Sequence, residues 1–236
     1  MEGGDGRKCL PSRPWPSHGA AMCNLYSLNK GQDAIRKAFG VQRDEAGNLP
    51  PLPGIFPNTM APVVRMRDGE RTLAMMRWGM PSPEFALKGK KVDAGVTNVR
   101  NTRSPHWRRW LKPQHRCLVP LTSFSEFNAK AGGDIWFALG EDRPLACFAG
   151  ILLDGWKSVR KVKDGETVDD LYAFLTTEPN AEVGEIHPKA MPAILNTADE
   201  HQTWLSAEWP EAAKLQRPLL DGALKVVARG AKRDGA

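Results

Sequence analysis

The sequence predicts an α+β fold: one domain built around a curved, mostly antiparallel β-sheet that approaches a barrel, with a few short helices. Three observations carry that expectation. Short β-like runs outnumber helical patterns, the helical patterns between them are brief, and no period of 20–50 residues signals a solenoid or propeller. At 236 residues and 41% hydrophobic, the chain is long enough to bury one substantial core.

Taken in order, residues 1–21 read MEGGDGRKCLPSRPWPSHGAA, rich in Gly, Pro and Ser and without periodicity. They are expected to be a disordered leader, or a start assigned too early, because Lys8 and Arg13 precede no apolar stretch of the kind a secretory signal needs. The folded domain is expected over 22–230, with 231–236 a disordered tail. Its first strand is expected to begin at Met22-Cys23. Gly31–Phe39 has helical spacing and stops at Gly40. The Pro-rich connector NLPPLPGIFPNTMAP, residues 48–62, is expected to form a rigid wall without regular structure. Val63–Arg67 and Thr72–Arg77 flank RDGE as a β-hairpin. Further strands are expected at Cys117–Pro120, Ile135–Leu139, Leu145–Ile151, Leu171–Thr176 and Met191–Leu195. Helices are expected over Pro105–Leu111, over Asn180–Ile186 behind Thr177 as a cap, and over Ala198–Leu205 behind Thr197.

The formal charge of +6 favours a phosphate-bearing partner. No apolar run approaches the ~18 residues of a membrane span, so no membrane partner is expected. Cys9, Cys23, Cys117 and Cys147 are too scattered for a disulfide scaffold, which points to a reducing, cytoplasmic compartment. His115-x-Cys117 is too small a fragment for a zinc site, and neither metal nor cofactor is expected.

Five stretches offer chemistry. If translation or processing exposes Cys23, its α-amine (pKa about 7.7–8.0) and its thiol (about 8.5) are both partly nucleophilic near neutral pH. A 1,2-aminothiol suits an aldehyde: the amine forms a Schiff base and the thiol closes a thiazolidine ring. As an ordinary cysteine, Cys23 would instead be a small buried apolar side chain. Asn98 and Arg100 in VTNVRN are two apart, so on an extended strand both face one side and can grip a sugar-phosphate. Arg103 and Arg108 lie in RSPHWRRWLK, where Arg, His and Trp interleave as they do in single-strand binders. The same spacing also describes an amphipathic helix with Trp107 and Trp110 in the core. Glu126 stands between Phe124 and Phe127, surroundings that raise a carboxyl pKa and suit proton transfer, unless the strand turns it to solvent. His187 lies just past a helix and before a strand, where side chains often project into a site.

Together these stretches resemble the SOS response-associated peptidase family, also called the abasic-site processing family. The matching elements are Met22-Cys23, Arg77-Trp-Gly-Met80, Thr97-Asn-Val-Arg100, Arg116-Cys-Leu-Val-Pro120 leading to Glu126, Phe174-Leu-Thr-Thr177, and Ile186-His187 followed by Met191-Pro192. They occur in family order across residues 22–196. The resemblance implies the family's fold and a protein that binds single-stranded DNA at abasic sites and joins its N-terminal cysteine to the ring-opened sugar aldehyde. It implies that Cys23 supplies amine and thiol, Asn98 positions the reacting group, and Glu126 and His187 handle protons. By the same pattern Arg100 contacts phosphate, with Thr176 as a further contact. Pro62 and Trp78 are expected to form a surface that ends base stacking beside the lesion. A weak lyase activity is a side branch of the same Schiff base. The protein is expected to act as a monomer, in the cytoplasm and at the nucleoid when bound to DNA.

Three positions depart from the family pattern. Asn24-Leu25 stand where Gly-Arg is usual, Thr102 stands where an acidic residue is usual, and the His187-to-Met191 spacing is one residue longer. With the leader attached, the nitrogen of Cys23 is an amide and cannot form an imine. The family name implies that some members remove their own leader, and Cys23, Glu126 and His187 could do so here. A thiol-dependent peptidase acting on other proteins and a noncatalytic single-strand binder are the competing readings.

Overall fold

In the turn Arg67-Asp68-Gly69-Glu70, Asp68 and Gly69 both adopt positive φ, 51° and 82°. That backbone matches the twist of the strands it joins and fixes their register. The computed structural model to which the turn belongs describes residues 23–235; the expected leader 1–21 and Met22 lie outside the described residues.

The strands are β1 (Leu25–Leu28), β2 (Arg43–Asp44), β3 (Leu52–Ile55), β4 (Met60–Arg67), β5 (Glu70–Trp78), β6 (Asn98–Val99) and β7 (Arg116–Leu121). They continue with β8 (Ser123–Asn128), β9 (Gly133–Ala138), β10 (Ala146–Lys161), β11 (Gly165–Thr177), β12 (Met191–Pro192), β13 (Ile194–Leu195) and β14 (Lys225–Arg229). The helices are α1 (Gln32–Phe39), α2 (Glu84–Leu87), α3 (Pro105–Arg108), α4 (Ala181–Ile186), α5 (Ala198–Ser206) and α6 (Trp209–Ala212).

Strands β11, β10, β7, β4 and β5 pair antiparallel in that order. A parallel contact of β5 with β11, Arg77 opposite Leu171 and Trp78 opposite Tyr172, closes them into a five-stranded barrel. Closure removes the sheet edges that would otherwise be open. A second sheet, ordered β14-β9-β8-β1-β3, packs against the barrel. Tyr26 of β1 joins the two: its ring meets Trp78, Phe148 and Phe174 edge-on at 5.2, 5.4 and 6.1 Å, and its hydroxyl lies 2.6 Å from that of Tyr172. Helix α5 covers β7 and β10, where Trp204 Nε1 donates to the carbonyls of Cys117 and Gly150, each at 3.0 Å.

Several expectations change. Among the described residues the first strand begins at Leu25 rather than at Cys23, because the Cys23 carbonyl is held by Asn98 instead of a ladder. The Pro-rich connector is not structureless: β3 and the start of β4 lie in it. Pro62 fits β4 because β4 pairs with β7 only at Val64 and Arg65, so the missing N–H at Pro62 costs no ladder bond on that side. The run Met191–Leu195 divides at Ala193, where the chain changes partner from β11 to β10. Ala193 N donates to Leu175 O and its carbonyl accepts from Ala149 N, both at 2.9 Å. Helix α4 is capped by Asn180, whose side chain accepts from Val183 N, while Thr177 ends β11. Helix α5 keeps the expected Thr197 cap, completed by Glu200 as a capping box. Helix α3 ends at Arg108, short of Leu111.

Residues 231–235 are no loose tail. Asp234 is buried, its carboxylate accepts from Arg143 Nε and Nη2 at 2.7 Å each, and its backbone nitrogen donates to Pro53 O at 2.9 Å.

Candidate active site

Three elements of the sheets and one helix end converge at one end of β1. Leu25 of β1 pairs with Ser125 of β8, and continuing that register brings the Cys23-Asn24 segment level with Glu126. On β8, Phe124 and Glu126 share a face, as residues two apart on a strand must, and both are 1% exposed. Phe127 takes the opposite face and is 55% exposed. The alternative in which Glu126 points to solvent is therefore overturned by the pairing of β8 between β1 and β9.

Strand β6 brings the third group. It lies parallel to β11, with Asn98 opposite Phe174, and Trp78 Nε1 donates to Thr97 O at 3.1 Å beneath it. Asn98 Nδ2 then donates to Cys23 O and to Thr97 Oγ1, each at 2.9 Å. Thr97 Oγ1 also lies 3.2 Å from Asn24 Oδ1, so the residue before β1 is held on both sides. His187, at the C-terminal cap of α4, completes the group. Its Nδ1 donates to Ala190 O at 2.9 Å and lies 3.6 Å from Glu126 Oε2. The short segment between His187 and Met191 thus supplies the carbonyl that orients the ring. The four expected catalytic residues, Cys23, Asn98, Glu126 and His187, occupy one place.

Electrostatics there are set by burial. The Glu126 carboxyl is pushed well above its ordinary pKa because no solvent reaches it. The Cys23 thiol is raised too, first by burial and then by Glu126, whose carboxylate form opposes a thiolate beside it. Its Sγ lies 3.7 Å from Leu25 O. Glu126 Oε1 and Asn98 Oδ1 are buried acceptors without a partner among the described residues. Two unpaired acceptors beside one thiol form an unfinished hydrogen-bond set, the kind a ligand completes. No group of three His, Cys, Asp or Glu among the described residues could hold a metal ion.

The expected DNA contacts divide. Arg100, Arg103 and Arg108 are all on the surface. Arg100 and Arg103 line a cleft of about 390 Å³ with Thr176, Thr177, Glu178 and Gln216. Arg100 Nη2 is paired there with Glu178 at 3.2 Å, and the buried hydroxyls of Thr176 and Thr177 lack partners among the described residues. Thr102, where an acidic residue was expected, donates to Gln216 Oε1 at 3.1 Å. Arg108 lies on the outer side of α3, whose Trp107 is buried with Trp110, as the amphipathic alternative requires.

Trp78 and Pro62 cannot form a stacking surface: Trp78 is 0% exposed, packed on Phe174 at 5.2 Å, and Pro62 is buried in β4. Trp78 holds the Thr97-Asn98 segment from below instead. An aromatic that does reach solvent and lines the groove beside Asn98 is Phe85 of α2, 67% exposed. It lines a groove of about 380 Å³ with Val96, Asn98, Arg100, His106 and Trp107. Reading the sequence alone passed over Phe85, Glu178 and Gln216. For Phe85 the available signal was an aromatic two residues after Pro83 in a Pro-Ser-Pro turn that no core periodicity claims.

A family model described as SOS response associated peptidase matches residues 22–228. No curated protein sequence matches the chain. Among solved structures, a protein from Bacteroides thetaiotaomicron superposes with a TM-score of 0.64 at 22% identity, covering 86% of this chain and 90% of that one. A protein from Bordetella bronchiseptica gives 0.62 at 23% identity, with 86% and 97% covered. A phage-related protein from the same organism gives 0.59 at 20% identity, with 86% and 92% covered. These structures share the fold.

Proposed function

The chain belongs to the SOS response associated peptidase family, a DNA-interacting family tied to the response to DNA damage, and from that premise we propose that it crosslinks itself to abasic sites in single-stranded DNA. The observation that supports this most is the meeting of Cys23, Asn98, Glu126 and His187 around two unpaired buried acceptors. Removal of residues 1–22 comes first, because only then is the Cys23 nitrogen a primary amine. That amine attacks the sugar C1′ aldehyde, and loss of water gives an imine. The thiol S–H then adds across C=N, sulfur to carbon and hydrogen to nitrogen, so one water leaves per thiazolidine formed.

Glu126 suits the acid's part. Burial keeps it protonated where an ordinary carboxylate has lost its proton, so it can deliver a proton to the departing hydroxyl and take one back. Asn98 holds the Cys23 carbonyl and so fixes where the amine points. His187, oriented by Ala190, is the second proton-handling group. Arg100 and Arg103, with the Thr176 hydroxyl, take phosphate, which makes binding salt-sensitive and indifferent to sequence. Phe85 takes over the stacking surface first assigned to Trp78 and Pro62.

The raised thiol pKa argues against a general cysteine peptidase, which needs a stabilised thiolate. It fits a thiol that acts once, at close range, on a preformed imine. Weak strand cleavage follows if a base removes the C2′ proton of that imine and the 3′ phosphate leaves. The protein acts in this reading as a cytoplasmic monomer.

Protein beginning at Cys23, mixed with a single-stranded oligonucleotide carrying one abasic site, should give a heat-stable adduct whose mass is the sum less one water. Cys23→Ala should give none. Free DNA with the wild type, or an adduct that survives the substitution, would remove the proposal.

A further inference from the structure

On the far side of Ser82 from the lesion groove lies a second cleft of about 250 Å³, which none of the chemistry above uses. Ser82 lines both, so the two hollows adjoin. The cleft is lined by Lys90 and Lys91 of the segment before β6 and by Trp156 and Lys157 of the β10–β11 arm.

Its construction is firm. Asp93 N donates to Val159 O at 2.9 Å, bonding loop to arm. The buried Arg160 reaches across from β10 to the carbonyls of Gly79 and Asp93, at 2.9 and 3.3 Å. At the arm's base a bulge at Gly155, φ 60°, shifts the register between Leu153 and Trp156. Bulges of this kind re-aim the side chains that follow them. Trp156 ends 36% exposed at the cleft.

Its charge is one-sided. The Asp93 carboxylate is spent inward, accepting from Ser82 Oγ and N and from Gly95 N at 2.6–3.1 Å. Lys157 is paired with Glu166 at 2.7 Å. Lys90 and Lys91 are exposed and have no ion pair among the described residues. Two ammonium groups without an ion pair among the described residues, lining one cleft with a partly exposed indole, combine phosphate attraction with a stacking platform.

We propose that this cleft carries the nucleic acid onward from the lesion groove: single-stranded DNA passing Asn98 continues over Ser82, its phosphates on Lys90 and Lys91 and one base against Trp156. This rests on the reading of the active site as a DNA site and extends it by a second contact region with its own readout.

The test uses oligonucleotides with a tetrahydrofuran in place of the abasic sugar, which carry no aldehyde and report binding alone. A short one of about six nucleotides is compared with two extended by about eight on the 5′ or the 3′ side, lengths within the span of single-strand sites. One extension should tighten binding. Trp156→Ala should abolish that gain, on the order of tenfold, the scale of one lost base–aromatic stack. A Lys90→Ala, Lys91→Ala double variant should also abolish it and lower the salt slope by about 1.4, at roughly 0.7 per phosphate contact. Binding of the short oligonucleotide should be unchanged in both. If neither extension tightens binding, if the variants keep the gain, or if they weaken short and long DNA alike, the proposal is overturned. Crosslinking of a short oligonucleotide with a true abasic site reads the active site separately. Its failure beside an intact length-dependent gain would leave the track standing and remove the crosslinking chemistry.

Discussion

Glu126 carries a direct conflict between burial and charge. Its carboxyl titrates well above the ordinary range when folded and near 4.3 when unfolded, so between those two values the native state holds the extra proton. Stability therefore falls as pH rises through that window, and stays low above it. Glu126→Gln keeps the shape and removes the titration. The variant should melt at least about 2 °C above wild type at pH 8, with the difference vanishing near pH 4, while its crosslinking slows by about 100-fold or more. Thermal melts across pH, with adduct formation timed on the same samples, check both halves. Glu126 was legible because Phe124, two residues earlier and so on the same strand face, signals a buried side. Trp78 was misread because an aromatic residue states its size but not which side of a closed barrel it will face.

At the scale of elements, the segment between β5 and β6 shows how a loop becomes a rigid wall. Gly95 adopts φ 81°, and a Cβ there would meet Gly79 Cα at 2.9 Å and also the Arg160 guanidinium. Gly155, at φ 60°, has open space around it. Gly95→Ala should therefore cost about 3 kcal/mol in urea unfolding, from overpacking added to left-handed backbone strain, against about 1 kcal/mol for Gly155→Ala. Equal losses would mean that the Arg160 contact does not hold the loop. The β4–β5 hairpin was plain from Asp-Gly between two apolar runs. The connector was not, because its prolines read as breakers until the partial pairing of β4 gives them an unbonded side. The β10–β11 arm outran the expected strands because its polar residues carry no core periodicity.

The two sheets are held together by the Tyr26 cluster, and the segment after β14 is tied back onto the second sheet through Asp234. Asp234 shows what the second tie contributes. Burial alone would raise its carboxyl, but the hydrogen bonds from Arg143 and Ser123 outweigh that and hold it below the usual range. Such a group adds stability above its unfolded pKa and loses it as pH falls through the folded value. Asp234→Asn should cost about 2–3 kcal/mol at pH 7, and the gap to wild type should close as pH drops below about 4. Denaturant titrations at the two pH values decide it, and a constant gap would place the effect in packing rather than charge.

The sequence by itself determined the kinds of element and the kinds of chemistry. The Cys23 that follows a Met, the Asn98-x-Arg100 pair, Glu126 among aromatics and His187 ahead of Met-Pro are all local patterns, and local patterns survive in one dimension. Tertiary structure alone decided that β5 meets β11 across more than ninety residues to close the barrel, that Phe85 rather than Trp78 faces solvent, and that Asp234 is tied down. Burial of a side chain depends on which distant strand covers it, and periodicity along the chain holds no record of that partner.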